Sequence, residues 1–159
     1  MRREIERKFL LAGDGWRGMA QGVNIRQGYL CIDPERVVRV RLAGDNAWLT
    51  IKGASLGAGR LEYELPIACD AAGRLLDELA LRPLVEKIRY AVPFQGLVWE
   101  VDEFTGLNQG LILAEVELEN ENQQFERPAW IGKEVTGDPR YYNVNLVRQP
   151  FSTWRPARS

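Results

Sequence analysis

Like-charged side chains spaced two residues apart recur along this sequence of 159 residues. The charged positions are Glu4, Glu6 and Lys8; Arg39 and Arg41; Lys52; Glu62 and Glu64; Lys87 and Arg89; Glu100 and Asp102; and Glu115 and Glu117. Residues two apart share one face of a β-strand. Crowded carboxylates are unfavourable, especially when partly enclosed, unless cations or a charged ligand compensate them. The chemistry expected of these faces is therefore the binding of ions or of a charged ligand.

The composition excludes several other kinds of chemistry. The sequence has no histidine, which removes Ser-His-Asp and Cys-His catalysis, so any bound metal must be held by oxygen. Cys31 and Cys69 lack CxxC spacing, which excludes a zinc site, and they are expected to be free thiols in a reducing compartment. The formal net charge of -1 lacks the basic surplus of nucleic-acid-binding proteins. With neither a membrane-length apolar run nor the apolar core of a signal peptide, the sequence predicts a cytoplasmic protein without a membrane partner.

Alternating apolar and polar residues predict eight β-strands that would carry the charged positions. The predicted strands span 2–10, 23–31, 36–43, 47–53, 60–67, 84–93, 96–103 and 111–119. Glycine-containing turns at 44–46 and 106–110 predict antiparallel pairing of neighbouring strands. The glycine-rich segment 53–59 is expected to be a surface loop. No linker or repeat divides the chain, so residues 1–159 are predicted to form one domain.

Three helical segments are predicted, over residues 70–81, 129–135 and 140–147. Asp70 is expected to cap the first of them. That helix would present an apolar stripe made of Leu75, Leu76 and Leu79.

Seven of the eight predicted strands have one charged face, and most of these faces carry a single sign of charge. Closing about eight strands into a barrel leaves an interior that holds side chains or one small ligand. In one arrangement the charged faces point inward, and the helices cover the apolar outer faces. In the other, the apolar faces fill an ordinary barrel whose surface is striped with charge.

The sequence resembles the CYTH superfamily of triphosphate tunnel metalloenzymes, and in particular its short bacterial members. Residues 4–8 have the ExExK pattern that opens that family. The resemblance continues through the charged pairs given above and through residues 133–136 and 141–143. It implies a mainly β fold, an eight-stranded antiparallel β-barrel with charged residues inside and a few covering helices. It also implies action on a triphosphate with a divalent metal, because the family contains inorganic, thiamine and RNA triphosphatases and class IV adenylyl cyclases.

The resemblance also implies roles for individual residues. Phosphate would be bound by Arg39, Arg41, Lys52, Lys87 and Arg89, and Mg²⁺ or Mn²⁺ by Glu4, Glu6, Glu115 and Glu117. Further acids, which would hold the basic side chains or add metal ligands, are Glu62, Glu64, Glu100 and Asp102. Lys8 would position the attacking water or stabilise charge, with proton abstraction as the alternative. Lys133, in a predicted helix over one tunnel mouth, would stabilise or protonate the leaving phosphate, or else be a solvated lysine.

The predicted function is metal-dependent hydrolysis of a triphosphate, with inorganic tripolyphosphate as the preferred substrate. The alternatives are a nucleoside triphosphatase, a class IV-like adenylyl cyclase and a non-catalytic polyphosphate- or nucleotide-binding module. The expected partner is a small anionic triphosphate rather than nucleic acid, and a homodimer is left open.

Overall fold

Antiparallel hairpins organise the chain into one mainly β domain, which a computed structural model describes for residues 5–56 and 59–154. The strands are β1 (Ile5–Leu11), β2 (Gly22–Asp33), β3 (Arg36–Ala43), β4 (Asn46–Leu56), β5 (Gly59–Pro66), β6 (Val85–Phe94), β7 (Leu97–Thr105), β8 (Ile112–Leu118) and β9 (Ile131–Glu134). Their order across the sheet is β5-β4-β3-β2-β6-β7-β8-β1-β9. All eight predicted strands are therefore present, and the ninth was not predicted.

The edges of this sheet are β5 and β9, and within the described strands no backbone pairing joins them. The sheet nevertheless curves strongly, because side chains of β5 and of β1 line the same cavity. The mainly β antiparallel class is confirmed, whereas closure of a barrel by hydrogen bonds is not part of the described pairing.

The β4–β5 hairpin is longer than the alternation predicts. β4 continues through Gly53 to Leu56, and β5 begins at Gly59, so the surface loop expected over 53–59 is wrong for its described residues. The register shifts between Lys52 and Ser55, which identifies a β-bulge in this edge hairpin.

The helices are α1 (Cys69–Glu78) and α2 (Asn143–Arg148), with 3₁₀ helices at Gly106–Asn108, Pro139–Tyr141 and Phe151–Thr153. The predicted first helix is confirmed, but its capping residue is wrong: Ala68 occupies the N-cap, and Asp70 lies inside the first turn. Leu79 is 65% exposed because α1 ends at Glu78. None of the helices within residues 5–56 and 59–154 has the length and apolar character needed to span a membrane.

The helix predicted over 129–135 is also wrong. Ile131–Glu134 forms β9, which pairs with β1. The third predicted helix, over 140–147, is replaced by a 3₁₀ turn followed by the six-residue α2.

Three apolar clusters support the curved sheet. On the convex face, α1 packs its buried Ala72 and Leu76 against β3 and β4. Also on the convex face, Trp16 and Trp130 from connecting segments pack against Trp99 of β7. The third cluster places α2 against Tyr29, Val85 and Phe104, beside the cavity. The expectation that the C-terminal helices cover the outer face is therefore wrong, because α2 fills one end of the concave side.

Candidate active site

The concave face of the sheet encloses a cavity of about 370 Å³. Within the described residues, its cationic lining consists of Lys8, Arg39, Arg41, Lys52, Arg60, Lys87 and Arg89. The carboxylates that line it are Glu6, Glu62, Glu64, Glu100, Glu115 and Glu117. The uncharged lining consists of Gln27, Tyr29, Val37, Thr50, Tyr142, Asn143 and Val144. The charged faces thus point inward, as the first of the two arrangements predicts.

Glu4, one of the predicted site residues, lies outside the described residues. Two of the described ones, Asp102 and Lys133, do not line this cavity. Asp102 is 1% exposed and lies behind the cavity wall, against Lys87 and Arg89. Lys133 is exposed on β9, which pairs with β1, so the helix predicted to carry it is wrong, and it is not part of the described lining.

Strand order divides the cavity into two walls of opposite charge. The neighbouring strands β4, β3, β2 and β6 carry the basic wall, which we define as Arg39, Arg41, Lys52, Lys87 and Arg89. The strands β7, β8 and β1 carry the acidic wall, defined as Glu6, Glu100, Glu115 and Glu117. A cavity with this polarity can receive a polyanion on one side and a cation on the other.

On β6, the basic side chains are held by carboxylates from β7. The Lys87 Nζ donates to Asp102 Oδ2 at 2.8 Å, and the Arg89 Nε and Nη2 donate to Oδ1 and Oδ2 at 2.7 and 2.9 Å. The Arg89 Nη1 also lies 2.7 Å from Glu100 Oε2. Burial alone would raise the pKa of Asp102, but the charges of Lys87 and Arg89 and their hydrogen bonds lower it to about 2. Burial lowers the pKa of Lys87 despite the attraction of Asp102.

On β3, Arg39 and Arg41 are half-buried, with much less compensation from carboxylates. The Nε atoms of Arg39 and Arg41 are buried without a hydrogen-bond partner among the described residues. Arg41 has Glu64 at 3.7 Å, and Arg39 donates to Thr50 Oγ1 at 3.4 Å. Burial, together with repulsion by Arg39 and Arg89, lowers the pKa of Arg41. The described residues thus leave both Nε donors without an acceptor.

Lys8 is the single cation contributed by the acidic strands within the described lining. Its Nζ lies 3.3 Å from Glu115 Oε1 and donates to the Tyr141 carbonyl at 3.1 Å. The Tyr142 ring centroid lies 5.7 Å from the same nitrogen. These contacts hold the ammonium against the acidic wall, beside the residues that precede α2.

The acidic wall offers oxygen ligands suited to a hard divalent cation. Glu6 and Glu117 are directly opposite in the β1–β8 register, and Glu100 and Glu115 are opposite in the β7–β8 register. Like charges directly opposite on neighbouring strands destabilise a sheet. Among the described residues, no group of three or more potential ligands is close enough to hold an ion. Mg²⁺ commonly needs only one or two carboxylates, with waters and substrate phosphates completing its shell, so the wall fits such an ion.

Eight lining residues were not among the predicted site residues: Gln27, Tyr29, Val37, Thr50, Arg60, Tyr142, Asn143 and Val144. Gln27 and Tyr29 share a face of β2, and their side chains lie 3.5 Å apart, Nε2 to Oη. Burial raises the pKa of Tyr29, although the charge of Arg39 partly opposes this. Arg60 lies on the same face of β5 as Glu62, and its Nε donates to the Gly53 carbonyl at the β4 bulge. Alternation along the strands could have identified those that lie on strands, because residues two apart share a face whether or not they are charged.

Two characterised relatives resemble this chain over nearly its whole length. An inorganic triphosphatase from Acetivibrio thermocellus is 50% identical over 155 residues, covering 98% of this chain and 99% of the relative. An inorganic triphosphatase from Nitrosomonas europaea is 39% identical over 148 residues, covering 91% of this chain and 96% of the relative.

Comparison with solved structures also finds an inorganic triphosphatase. The crystal structure of the inorganic triphosphatase NE1496 has a TM-score of 0.70 and 36% identity, with 99% of each chain covered. The family model of the CYTH domain matches residues 2–149. Together with the inward-facing charged strands, this match shows that the chain belongs to the CYTH domain family.

Proposed function

We propose that this chain hydrolyses a triphosphate with the help of a divalent metal ion, and that its preferred substrate is inorganic tripolyphosphate. The observation that carries the proposal is the half-buried pair Arg39 and Arg41, whose buried Nε donors have no hydrogen-bond partner among the described residues. An unmade hydrogen bond in a buried site is costly, and a polyanion is the ligand that relieves both this cost and the mutual repulsion of the guanidiniums. The inorganic triphosphatases described above, as whole-chain relatives, support the same substrate.

In this proposal the basic wall binds the phosphate chain. The planar guanidiniums of Arg39, Arg41 and Arg89 suit bidentate contact with phosphoryl oxygens. Lys52 and Lys87 act as point charges against the same chain. Their fixed positions stabilise the charge that develops in the transferred phosphoryl group, because they need little reorganisation when the reaction occurs.

The acidic wall would hold Mg²⁺ or Mn²⁺, with Glu6, Glu115 and Glu117 as ligands and Glu4 as a fourth expected from the family pattern. Such an ion would supply compensation of the phosphate charge and an acidified water. Lys8 would position the attacking water or stabilise developing charge, since its ammonium lies against Glu115 within the same wall. Lys133 has no part in this proposal, because it is exposed and is not in the described cavity lining.

A cytoplasmic location belongs to the same proposal. Cys31 and Cys69 are both free thiols, which is typical of proteins in reducing compartments.

The direct test is phosphate release from inorganic tripolyphosphate, ATP and thiamine triphosphate, each measured with Mg²⁺, with Mn²⁺ and with EDTA. We expect the highest kcat/KM for tripolyphosphate and no release in EDTA. Release that survives EDTA would contradict the metal-dependent mechanism. A higher kcat/KM for ATP would instead identify a nucleoside triphosphatase.

The same ATP reactions are assayed for cyclic AMP. Cyclic AMP without phosphate release would identify a cyclase, and absence of both products with every substrate would identify a binding module. Either result would overturn the proposed function.

A further inference from the structure

Asp102 differs from the other acids of the site because it lies behind the cavity rather than in its lining. It is on β7, opposite Arg89 in the register with β6, and its side chain is 2% exposed. Glu100, two residues earlier on the same face, lines the cavity itself. The two acids therefore meet different surroundings although they share one strand face.

Both carboxylate oxygens of Asp102 are already engaged by cations. Oδ1 accepts from the Arg89 Nε at 2.7 Å. Oδ2 accepts from the Arg89 Nη2 at 2.9 Å and from the Lys87 Nζ at 2.8 Å. A carboxylate has about four acceptor positions, and three of them are used by these charge-assisted hydrogen bonds.

This environment is unsuitable for a metal ion. A divalent cation at Asp102 would lie beside two positive charges, Lys87 Nζ and the Arg89 guanidinium, and would be repelled by both. Mg²⁺ also retains several of its waters, for which a side chain 2% exposed behind the wall leaves little room.

The two cations that Asp102 holds do line the cavity. Lys87 is 3% exposed and therefore depends on Asp102 for compensation of its charge. The bidentate contact fixes the plane of the Arg89 guanidinium, and Glu100 takes its third nitrogen at 2.7 Å. One carboxylate thereby sets the direction in which two basic groups face the cavity.

We propose that Asp102 is a positioning residue for substrate binding, which orients Lys87 and Arg89 toward the phosphate chain and does not bind the metal. This inference rests on the proposed function. It predicts that Asp102 acts on affinity for the polyanion even in the absence of metal, a property that a metal ligand would not have.

The test compares Asp102→Asn with wild type in two titrations: tripolyphosphate at saturating Mg²⁺, and Mg²⁺ at saturating tripolyphosphate. Because two cations lose their common orientation, we expect KM for tripolyphosphate to rise by about 10- to 100-fold. The Mg²⁺ concentration for half-maximal activity should stay within about twofold of wild type, since Asp102 binds no metal in this account. A rise in that Mg²⁺ concentration comparable to the rise in KM, or an unchanged KM, would overturn the proposal.

The matched control is Glu103→Gln, the next residue on β7. Glu103 faces the other side of the sheet and pairs with Arg17 at 2.8 Å, so its replacement removes a carboxylate without touching the cavity. Its KM should equal that of wild type. Turnover of tripolyphosphate by the wild-type protein tests the proposed function separately. The ratio of the variant KM to the wild-type KM tests the role of Asp102.

Asp102→Asn leaves the Lys87 ammonium buried without its partner, and this variant could fail to fold for that reason. A second pair of variants tests the proposal in that case. Lys87→Met removes that ammonium, and the double variant Lys87→Met with Asp102→Asn then tests Asp102 through Arg89 alone. Binding of tripolyphosphate in EDTA, measured by calorimetry, should be weaker for the double variant than for Lys87→Met. Equal affinity of the two would overturn the positioning role.

Discussion

Two basic strands, β3 and β6, face the same cavity but meet opposite electrostatic conditions. On β6, Arg89 makes three charge-assisted contacts at 2.7–2.9 Å, two to the carboxylate of Asp102 and one to that of Glu100. On β3, the Arg41 Nη2 lies 3.7 Å from Glu64 Oε1, and the Arg41 Nε has no hydrogen-bond partner among the described residues. Both strands expose their guanidiniums to the cavity.

The difference indicates a division of labour within the basic wall. The β6 cations are satisfied by the protein before any ligand arrives, so they form a rigid part of the site. Arg39 and Arg41 on β3 are half-buried with little compensation, at a cost in free energy that a polyanion can relieve. We therefore infer that the poorly paired β3 arginines receive the ligand, whereas the β6 cations, which are paired with carboxylates, keep the site rigid.

The largest expected effect is on catalysis, from replacing a β3 arginine. Arg41→Ala should lower kcat/KM for tripolyphosphate by about 10²- to 10³-fold, because a preorganised donor to the transition state is lost. The matched control is Arg36→Ala on the same strand, whose side chain is 70% exposed and pairs only with surface acids. If Arg41→Ala retains near-wild-type kcat/KM, the assignment of β3 to the phosphate is wrong.

The next largest effect is on the stability of the ligand-free protein, and substitutions on β3 and on β6 should change it by different amounts. Arg89→Met should lower the free energy of unfolding by about 3–5 kcal/mol, because Asp102 loses its bidentate partner in a buried position. Arg41→Met should change it by less than about 1 kcal/mol, since removal of a poorly compensated charge offsets the lost packing. Urea unfolding in EDTA measures both values.

Equal destabilisation by Arg89→Met and Arg41→Met would remove the distinction between the two strands. A larger loss for Arg41→Met would reverse it.

The smallest effect concerns a satisfied ion pair outside the cavity. Arg7 Nε and Nη2 donate to Glu134 at 2.5 and 2.6 Å, which joins β1 to β9. The hydrogen bond from Arg7 lowers the pKa of Glu134 from 4.5 to about 2. Because these side chains are 27% exposed, solvent screens the pair, and Glu134→Gln should cost only about 1 kcal/mol at pH 7.

The pH dependence of this cost follows from the direction of the shift. A lowered folded-state pKa gives stability that is present above the unfolded-state value and is lost as the pH falls through the folded-state value. The difference in unfolding free energy between wild type and Glu134→Gln should therefore diminish from pH 4.5 toward about 2. Urea titrations at pH 7, 4.5 and 3 measure it, and an undiminished difference at pH 3 would contradict the pairing.

Much of this arrangement was predictable because strand parity is a local property. Alternation places Arg39 and Arg41 on one face of β3 whatever the rest of the chain does. The same rule applied to β2 would have placed Gln27 and Tyr29 in the cavity, but uncharged side chains gave no cue to which face was which. β9 was missed because four residues that include Gly132 are too few to show alternation.

The ion pairs were less predictable, because they depend on register and burial rather than on parity. Glu100 and Asp102 have the same sequence spacing as Glu115 and Glu117. Only the depth of Asp102, opposite Arg89 in the β6–β7 register, distinguishes it as a buried counter-ion. Similarly, nothing local in the sequence indicates that Lys133 lies outside the cavity, because its strand is defined by pairing with β1.

We infer that Arg39 and Arg41 on β3 are the donors of a triphosphate site whose hydrogen bonds are completed by the substrate. A crystal structure with a non-hydrolysable imido analogue of tripolyphosphate tests it most directly. We expect phosphoryl oxygens within hydrogen-bonding distance of the Nε atoms of both Arg39 and Arg41, with the Arg89–Asp102 contacts unchanged. An analogue bound without contact to Arg39 and Arg41, or bound only after Asp102 has released Arg89, would contradict it.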